Sequence, residues 1–385
     1  MRVLHVLHSL DLRYGGPVRA VLDLSARAAG LGLQSEVLGF GPVNLPDNPL
    51  DVQSIHALPV CFPKRYCHSP GLRAWLRENL SRFDGVILHG MWQYPNWAVS
   101  QECVRMGIPY ACFPHGMLEP WSVFGQGWRK AIKKYAYWFM REKKVFDKAC
   151  CVFFATDREQ MLARATFRLG PLQLILTPYG VEISNARLGR PERAELTQPG
   201  DRKIALFLGR VHPKKNVGFL IETWAAAEVP AEWHLVIAGQ AEAGYLVELR
   251  ALVHEKRLEG QVHFVGHVNG RDKQYMYQRA QWFLLPSNQE NFGISVLEAI
   301  SNGCPVAISD QVYISDMFHE KSEVLPLDPM AWIDFFRYRM QDEARRGELI
   351  AMDQARIVEK FKMEPVTERW VSTISRAFSA VQLHD

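Results

Sequence analysis

Short apolar runs alternate with amphipathic stretches from the first residues onward. "RVLHVLH" (2–8), "SEVLGF" (35–40), "GVILHG" (85–90), "PYACFPHG" (109–116), "CVFFAT" (151–156) and "LQLILTPYG" (172–180) each close on or beside Gly, Pro, Ser or Thr. Runs of this length and composition read as strands, and the helical patterns between most of them leave room for crossovers. Such alternation predicts an α/β chain with parallel, doubly wound, Rossmann-like sheets. Periodicity lapses over residues 185–202, where Pro, Gly and charge dominate, and restarts with "KIALFLG", "WHLVIAG", "VHFVG", "WFLLP" and "CPVAIS".

The expectation is therefore a domain over 1–184, a linker over 185–202 and a second α/β domain over 203–362. A closing helix over 363–385 carries Trp370, Ile374 and Phe378 at four-residue spacing. That spacing leaves its partner domain open, packing back on the first domain included. The 385 residues suit two or three domains, and 48% apolar content suffices for a core in each.

A net charge of +4 over the whole chain does not argue for nucleic acid as a partner. The seven cysteines form no C-x-x-C pair and mostly lie in apolar runs, which suits buried thiols in a reducing compartment. "MRVLHVLHSL" lacks the apolar core and cleavage site of a signal peptide, and no run approaches spanning length, so the expected location is cytoplasmic.

In open α/β sheets ligands collect at the carboxyl ends of strands. After the first strand come Gly15 and Gly16, then Pro17 at the start of a helical pattern. A glycine pair before a helix is a phosphate seat or a tight turn, and the pattern leaves both open. A nicotinamide site is disfavoured because G-x-G-x-x-G is absent and the second strand ends without an acidic residue. In the second domain Arg210 follows a strand directly, and Lys214–Lys215 stand at the mouth of the next helix, where cations suit a diphosphate.

The stretch "SNQENFGISVLEAISNGCPVAIS" (287–309) carries the most information. A strand, "WFLLPS", runs into the loop "NQEN" and then into a helix, so the amides of Phe292, Gly293 and Ile294 stand at a helix start that favours an anion. Glu298 lies five residues into that helix, ~8 Å along its axis, a distance that fits a diphosphate and its ribose. Glu290, on the loop, points toward what hangs from the distal phosphate. Singly, each carboxylate reads as an exposed helix charge or a dipole partner; together, in this setting, they read as a nucleotide-sugar site.

These motifs, with "GR…PKKN", "VHFVGHV", "GGPVR" and "PHGM", make the chain similar to the retaining glycosyltransferases of family 4, which have the GT-B fold of two Rossmann-like domains facing a cleft. The resemblance is strongest over about 203–310. It implies that Arg210 and Lys215 hold the donor phosphates and Glu298 the ribose. Glu290, Asn291 and the Phe292–Gly293–Ile294 backbone would take sugar and phosphate, with Gly15 and Gly16 closing on the donor from the other domain. It implies further that His115, in "CFPHGMLEPWS", lies beside the transferred sugar; alone, a Pro-His-Gly turn is more often structural. His115, Glu290, Arg210 and Lys215 are thus the expected catalytic group.

"LHGMWQYPN" (88–96) with "PHGML.PW" resembles a subset of the family associated with surface polysaccharide assembly, in which His89 and Trp92 would face the acceptor or pack in the core. Asn216 stands where the family often has glycine, and "PYGVE" (178–182) where it often has Pro-Asn-Gly-Val-Asp.

The expected function is transfer of a sugar from a UDP- or GDP-sugar to a growing glycan, on a lipid-linked saccharide, with retention. Alternatives are a nucleotide-sugar-binding scaffold without turnover, or a GT-B epimerase or phosphorylase. No D-x-D occurs in the sequence, so no metal and no other cofactor is expected, the cations and helix dipole neutralising the leaving group. Front-face attack, with the departing phosphate taking the acceptor's proton, is favoured over a covalent intermediate on Glu290.

One segment stands apart. "WRKAIKKYAYWFMREKKVFDK" (128–148) carries eight basic and two acidic residues, a net +6. A helical period places Trp128, Ile132, Tyr135, Phe139 and Phe146 on one stripe and Lys130, Lys133, Lys134, Arg141, Lys144 and Lys148 on the opposite one. The readings are a solvated face over a packed aromatic stripe, or a surface for the anionic inner face of the cytoplasmic membrane.

Overall fold

The structure is a computed structural model that describes residues 1–11, 16–44, 54–125, 127–170, 172–183, 189–197, 200, 202–318 and 322–382. It divides into two compact units, residues 1–180 with 363–385, and residues 181–362.

The strands of the first unit are β1 (Arg2–Val6), β2 (Leu10–Asp11), β3 (Gln34–Phe40), β4 (Val43–Asn44), β5 (Ser54–Leu58), β6 (Gly85–His89), β7 (Tyr110–Phe113), β8 (Cys151–Phe154) and β9 (Gln173–Leu176). Seven form one sheet in the order β5-β3-β1-β6-β7-β8-β9, parallel throughout; β2 and β4 form a separate parallel pair. Central strands such as "GVILH" and "CVFF" are buried along their whole length, because helices cover both faces of a parallel sheet. Leu4, Val6, Val86 and Leu88 feed one core; Val37 joins Leu7, Leu10, Val18 and Leu22 in the other.

The helix Met363–Gln382 belongs to this unit. Trp370, Ile374 and Phe378 are all buried, each side chain contributing ~1.5–3 kcal/mol if fully removed from water. Trp370 lies against Phe153 and His5, with ring centroids 5.4 and 6.2 Å away. Phe378 lies on Gly85, where an added Cβ would come within 2.3 Å of its ring.

The second unit holds β10 (Lys203–Leu208), β11 (Trp233–Ala238), β12 (Val262–Gly266), β13 (Trp282–Leu285), β14 (Val306–Ser309) and β15 (Glu323–Leu325), in the order β12-β11-β10-β13-β14-β15. All pairs are parallel. Strand order reverses between β10 and β13, so the crevice expected at a topological switch point opens at their carboxyl ends.

The segment read as a linker packs into this unit, and its described part, 189–197, is not a free tether. The Arg193 guanidinium donates to the carbonyls of Val265 (3.0 Å) and His267 (2.9 Å), and the Glu192 amide donates to Asp272 (2.7 Å). Local polarity hid this, because the partners are backbone carbonyls some seventy residues away. Chain entry and exit are adjacent, since the Val181 amide donates to the Phe361 carbonyl. Both units have the Rossmann-like α/β architecture.

Candidate donor site and the residues around it

Tight backbone turns at the ends of β10, β11 and β13 build the second unit's site. Gly209 and Gly239 meet so closely that a Cβ on Gly239, at φ +143°, would come within 1.7 Å of the Gly209 carbonyl oxygen. Only glycine permits that approach. Beyond it, the register of β11 against β12 shifts at Ile237/Ala238 and a cavity of about 420 Å³ opens. Gly239, Gln240, Arg250, Phe264, Gly266 and His267 are among its lining residues, with the Arg250 guanidinium 5.8 Å from the Phe264 ring centre. Its volume lies within the range of small-molecule sites. The sequence reading missed this cavity, whose only linear trace is "FVGH" after a strand.

Across the switch point the loop after β13 is pinned on three sides. The Asn288 amide donates to the Lys214 carbonyl (2.9 Å), the Glu290 amide to Gln311 (2.9 Å), and the Tyr313 amide to the Glu290 carbonyl (3.0 Å). These bonds bring the loops after β10 and β13 together, and Lys215 forms an ion pair with Glu290. The lysine side chain is only 15% exposed. Burial, then the Lys214 and Arg210 cations, press its pKa down to about 7, against which the Glu290 carboxylate works. Arg210, on the same loop, is exposed.

Gly293, at φ +82°, caps the helix Ile294–Ser301. Phe292, just before it, is buried edge-on against Phe361 at 5.5 Å. Glu298, one turn on, accepts from Lys273 Nζ (2.5 Å) and Tyr277 Oη (3.0 Å). Those partners sit four apart on the helix Gly270–Arg279 and hold the carboxylate in one orientation. A carboxylate offers about four acceptor positions, so Glu298 keeps capacity for a ligand. Lys273 and Tyr277 were not singled out from the sequence, although their spacing was visible there.

In the first unit, Gly16 opens the helix Gly16–Ala28, while Gly15 lies outside the described residues. His115 has left-handed backbone, φ +52°, and both its ring nitrogens are engaged: Nε2 with His89 Nδ1 (2.9 Å) and Nδ1 with Tyr179 Oη (2.5 Å). His89 is buried, so it does not face a ligand as one reading expected. Trp92 likewise packs inward: its amide donates to Glu142 (2.6 Å), and its ring meets Tyr137 and Phe167. Burial raises Glu142 to about 7.

The basic segment departs from the simple stripe. A π-helical turn over Trp138–Glu142 inserts an extra residue per turn, so Trp138, Val145 and Phe146 face the core. Trp128, Ile132, Phe139 and Met140 are instead left 61–69% exposed. Two residues assigned to the solvated basic stripe are engaged internally. Lys134 donates to the Ser122 carbonyl (2.6 Å), and Arg141 stacks on Trp97 (4.3 Å) and donates to Tyr66. Arg129, Lys130, Lys133, Lys144 and Lys148 remain exposed.

Residues 190–335 match the family described as glycosyl transferases group 1, and residues 15–180 match the glycosyl transferase 4-like domain. The chain belongs to the group 1 glycosyltransferases. Among curated relatives in this family, an O-antigen chain mannosyltransferase B of Escherichia coli is 30% identical over 146 residues, 37% of this chain. A D-inositol 3-phosphate glycosyltransferase of Mycolicibacterium paratuberculosis is 29% identical over 170 residues, 43% of this chain. The chain spans 38% of the length of each of these two relatives.

Among solved structures, Anabaena HepE in complex with UDP and glucose superposes with a TM-score of 0.79 at 15% identity, covering 98% of this chain and 100% of that one. WaaG, a glycosyltransferase involved in lipopolysaccharide biosynthesis, gives 0.73 at 18%, covering 97% and 99%. The fold is that of the GT-B glycosyltransferases.

Proposed function

We propose that the chain transfers a sugar from a nucleotide-sugar to a glycan acceptor, with retention at the anomeric carbon and without a divalent metal. The observation that carries this is the Lys215–Glu290 pair, set between the Gly293-capped helix start and the loop after β10 at the switch point. A cation, a helix N-terminus and a carboxylate in that arrangement suit a diphosphate with a hydroxyl-rich group beyond it.

The donor reads onto the site in order. The base enters the 420 Å³ cavity between Phe264, Arg250 and the strand-end backbone. Ribose hydroxyls meet Glu298, the diphosphate meets Lys215, Arg210 and the helix start, and the sugar meets Glu290. The UDP bound by the HepE neighbour supports UDP over GDP.

In the reaction the acceptor oxygen bonds to the anomeric carbon as the bond to the distal phosphate breaks, and that phosphate takes the acceptor's proton. Lys215, Arg210 and the amides of the helix start stabilise the charge that develops on the leaving nucleoside diphosphate. Glu290 is ion-paired with Lys215, which makes it a poor nucleophile and supports front-face attack over a covalent intermediate.

A lipid-linked acceptor, peripheral placement on a membrane and a role in surface polysaccharide assembly complete the reading. Trp128, Ile132, Phe139 and Met140 are exposed apolar side chains of this segment, with Arg129, Lys130 and Lys133 exposed among them. Apolar insertion with cationic flanks suits an anionic lipid surface. Among the described residues no helix is long and apolar enough to cross a membrane.

The test is a thermal-shift screen against UDP-, GDP-, ADP- and dTDP-sugars in EDTA, followed by transfer assays with the nucleotide that binds. A shift for one nucleotide class, reduced in Glu298→Ala, is the expected result. No shift with any of them would sink the donor site, and binding without turnover on any glycan would leave a nucleotide-sugar-binding scaffold.

A further inference from the structure

Four segments of the first unit contribute one side chain each to a single file. His5 comes from β1, His89 ends β6, His115 lies in the turn after β7, and Tyr179 follows β9. His5 Nδ1 lies 3.0 Å from His89 Nε2, His89 Nδ1 lies 2.9 Å from His115 Nε2, and His115 Nδ1 lies 2.5 Å from Tyr179 Oη. Successive rings are inclined by only 24°, 11° and 17°, and their centroids stand 5.3, 5.1 and 6.2 Å apart, separations that fit rings set edge to edge with each bond near the ring planes, where the nitrogen lone pairs point.

A neutral imidazole has one N–H and one acceptor nitrogen, so donation must run in one direction along the whole file. The blind end decides which. His5 Nε2 is buried and has no partner among the described residues. Protons on every Nε2 would leave an N–H there without an acceptor, whereas protons on every Nδ1 leave only an unused lone pair. Buried orphan N–H groups are the rarer case, so His5 Nδ1–H donates to His89, His89 Nδ1–H to His115, and His115 Nδ1–H to Tyr179.

The file does not carry protons. It ends blind at His5, and burial holds His5 and His115 at about 3, so no imidazolium forms at neutral pH.

We propose that His5, His89 and Tyr179 are positioning residues that act through His115, fixing its proton on Nδ1 and its ring plane at the carboxyl end of β7. His115 thereby enters the transfer step as a neutral, oriented ring and not as an acid or base. Phe113 supports it from below, with ring centroids 4.1 Å apart.

The role in transfer rests on the function proposed above and on the resemblance that puts His115 beside the transferred sugar; the tautomers rest on neither. The experiment is ¹⁵N-histidine spectroscopy of the full chain from pH 5 to 8 without donor or acceptor, with steady-state kinetics of wild type and Tyr179→Phe. Expected are Nδ1–H tautomers at all three histidines with no titration, loss of the single tautomer in Tyr179→Phe, where either direction of the file leaves one N–H without an acceptor, and a kcat lowered on the order of tenfold with donor KM unchanged.

A wild-type His115 that carries its proton on Nε2, or titrates near 6.5, overturns the proposal whether or not the variant folds. Mixed tautomers in Tyr179→Phe with unchanged kcat overturn the positioning role and leave the transferase reading standing. The Nδ1–H file in a protein that transfers no sugar from any nucleotide-sugar overturns both the transferase reading and the role in transfer.

Discussion

Lys215 concentrates the chemistry of the second unit in one side chain. Held at about 7 by burial and by the Lys214 and Arg210 cations, it is charged below that pH and loses its charge above it. Donor diphosphate binds the charged form, so affinity for a UDP-sugar is expected to fall as pH rises through 7, by up to ~10-fold per pH unit. Calorimetric titration from pH 6 to 9 checks this, and a flat profile in wild type would remove Lys215 from the phosphate site. Glu298 offers a second test at this scale. Glu298→Ala leaves Lys273 and Tyr277 without their shared acceptor and should lose the donor-induced thermal shift. Glu298→Gln, which keeps the shape and one acceptor, should retain part of it.

Strand ends and one irregular helix carry the predictions that belong to elements. Gly239→Ala would press a methyl group onto the Gly209 carbonyl, so the ends of β10 and β11 must part. A loss of at least ~2 kcal/mol is expected, with donor affinity lost in parallel because the cavity is built on that approach. Urea unfolding and nucleotide titration measure the two. The π-helical turn at Trp138–Glu142 changes which charges to reverse in a membrane experiment. Reversal of Arg129, Lys130 and Lys133, or Trp128→Ala with Phe139→Ala, should abolish co-sedimentation with anionic liposomes and leave donor binding intact. Lys134 and Arg141 are poor probes because their side chains support the local packing. Co-sedimentation that survives both sets would remove this face from the membrane contact.

Over the whole molecule, acid acts on the first unit through its histidine file. His5 and His115 titrate at about 3 when folded and near 6.5 when unfolded. Their depressed values mean that the unfolded chain binds protons first, so stability falls as pH drops from 6.5 toward 3. Both act in the same direction. The groups facing them include His89, His8, Tyr179 and Trp370, and Glu159 bonds the neighbouring Gly116 amide. Melting curves at pH 7 and pH 5 should separate clearly, and the separation should narrow in His5→Phe; equal narrowing at a surface histidine such as His254→Phe would discredit the assignment. Phe378→Ala, which empties the seat on Gly85, should cost ~3–5 kcal/mol and loosen the first unit at a helix that closes the sequence.

Local pattern determined most of the strands. β12 matches "VHFVG" residue for residue, and "GVILH" and "CVFF" are buried as continuous apolar runs require. β5, with Ser54 and His56 in five residues, and the three-residue β15 escaped notice because each lies at a sheet edge, where one missing neighbour relaxes the apolar demand. The spacing of Glu290, Gly293 and Glu298 was legible for the same local reason, since a strand, a loop and a helix start fix their relative positions within a dozen residues. The tertiary structure alone decided what meets across sequence distance: Lys215 with Glu290, Glu298 with Lys273, Phe378 with Gly85, and His5 with His89, His115 and Tyr179. Periodicity fixes a side chain's direction relative to its own element, but a partner on another element is chosen by how the elements pack.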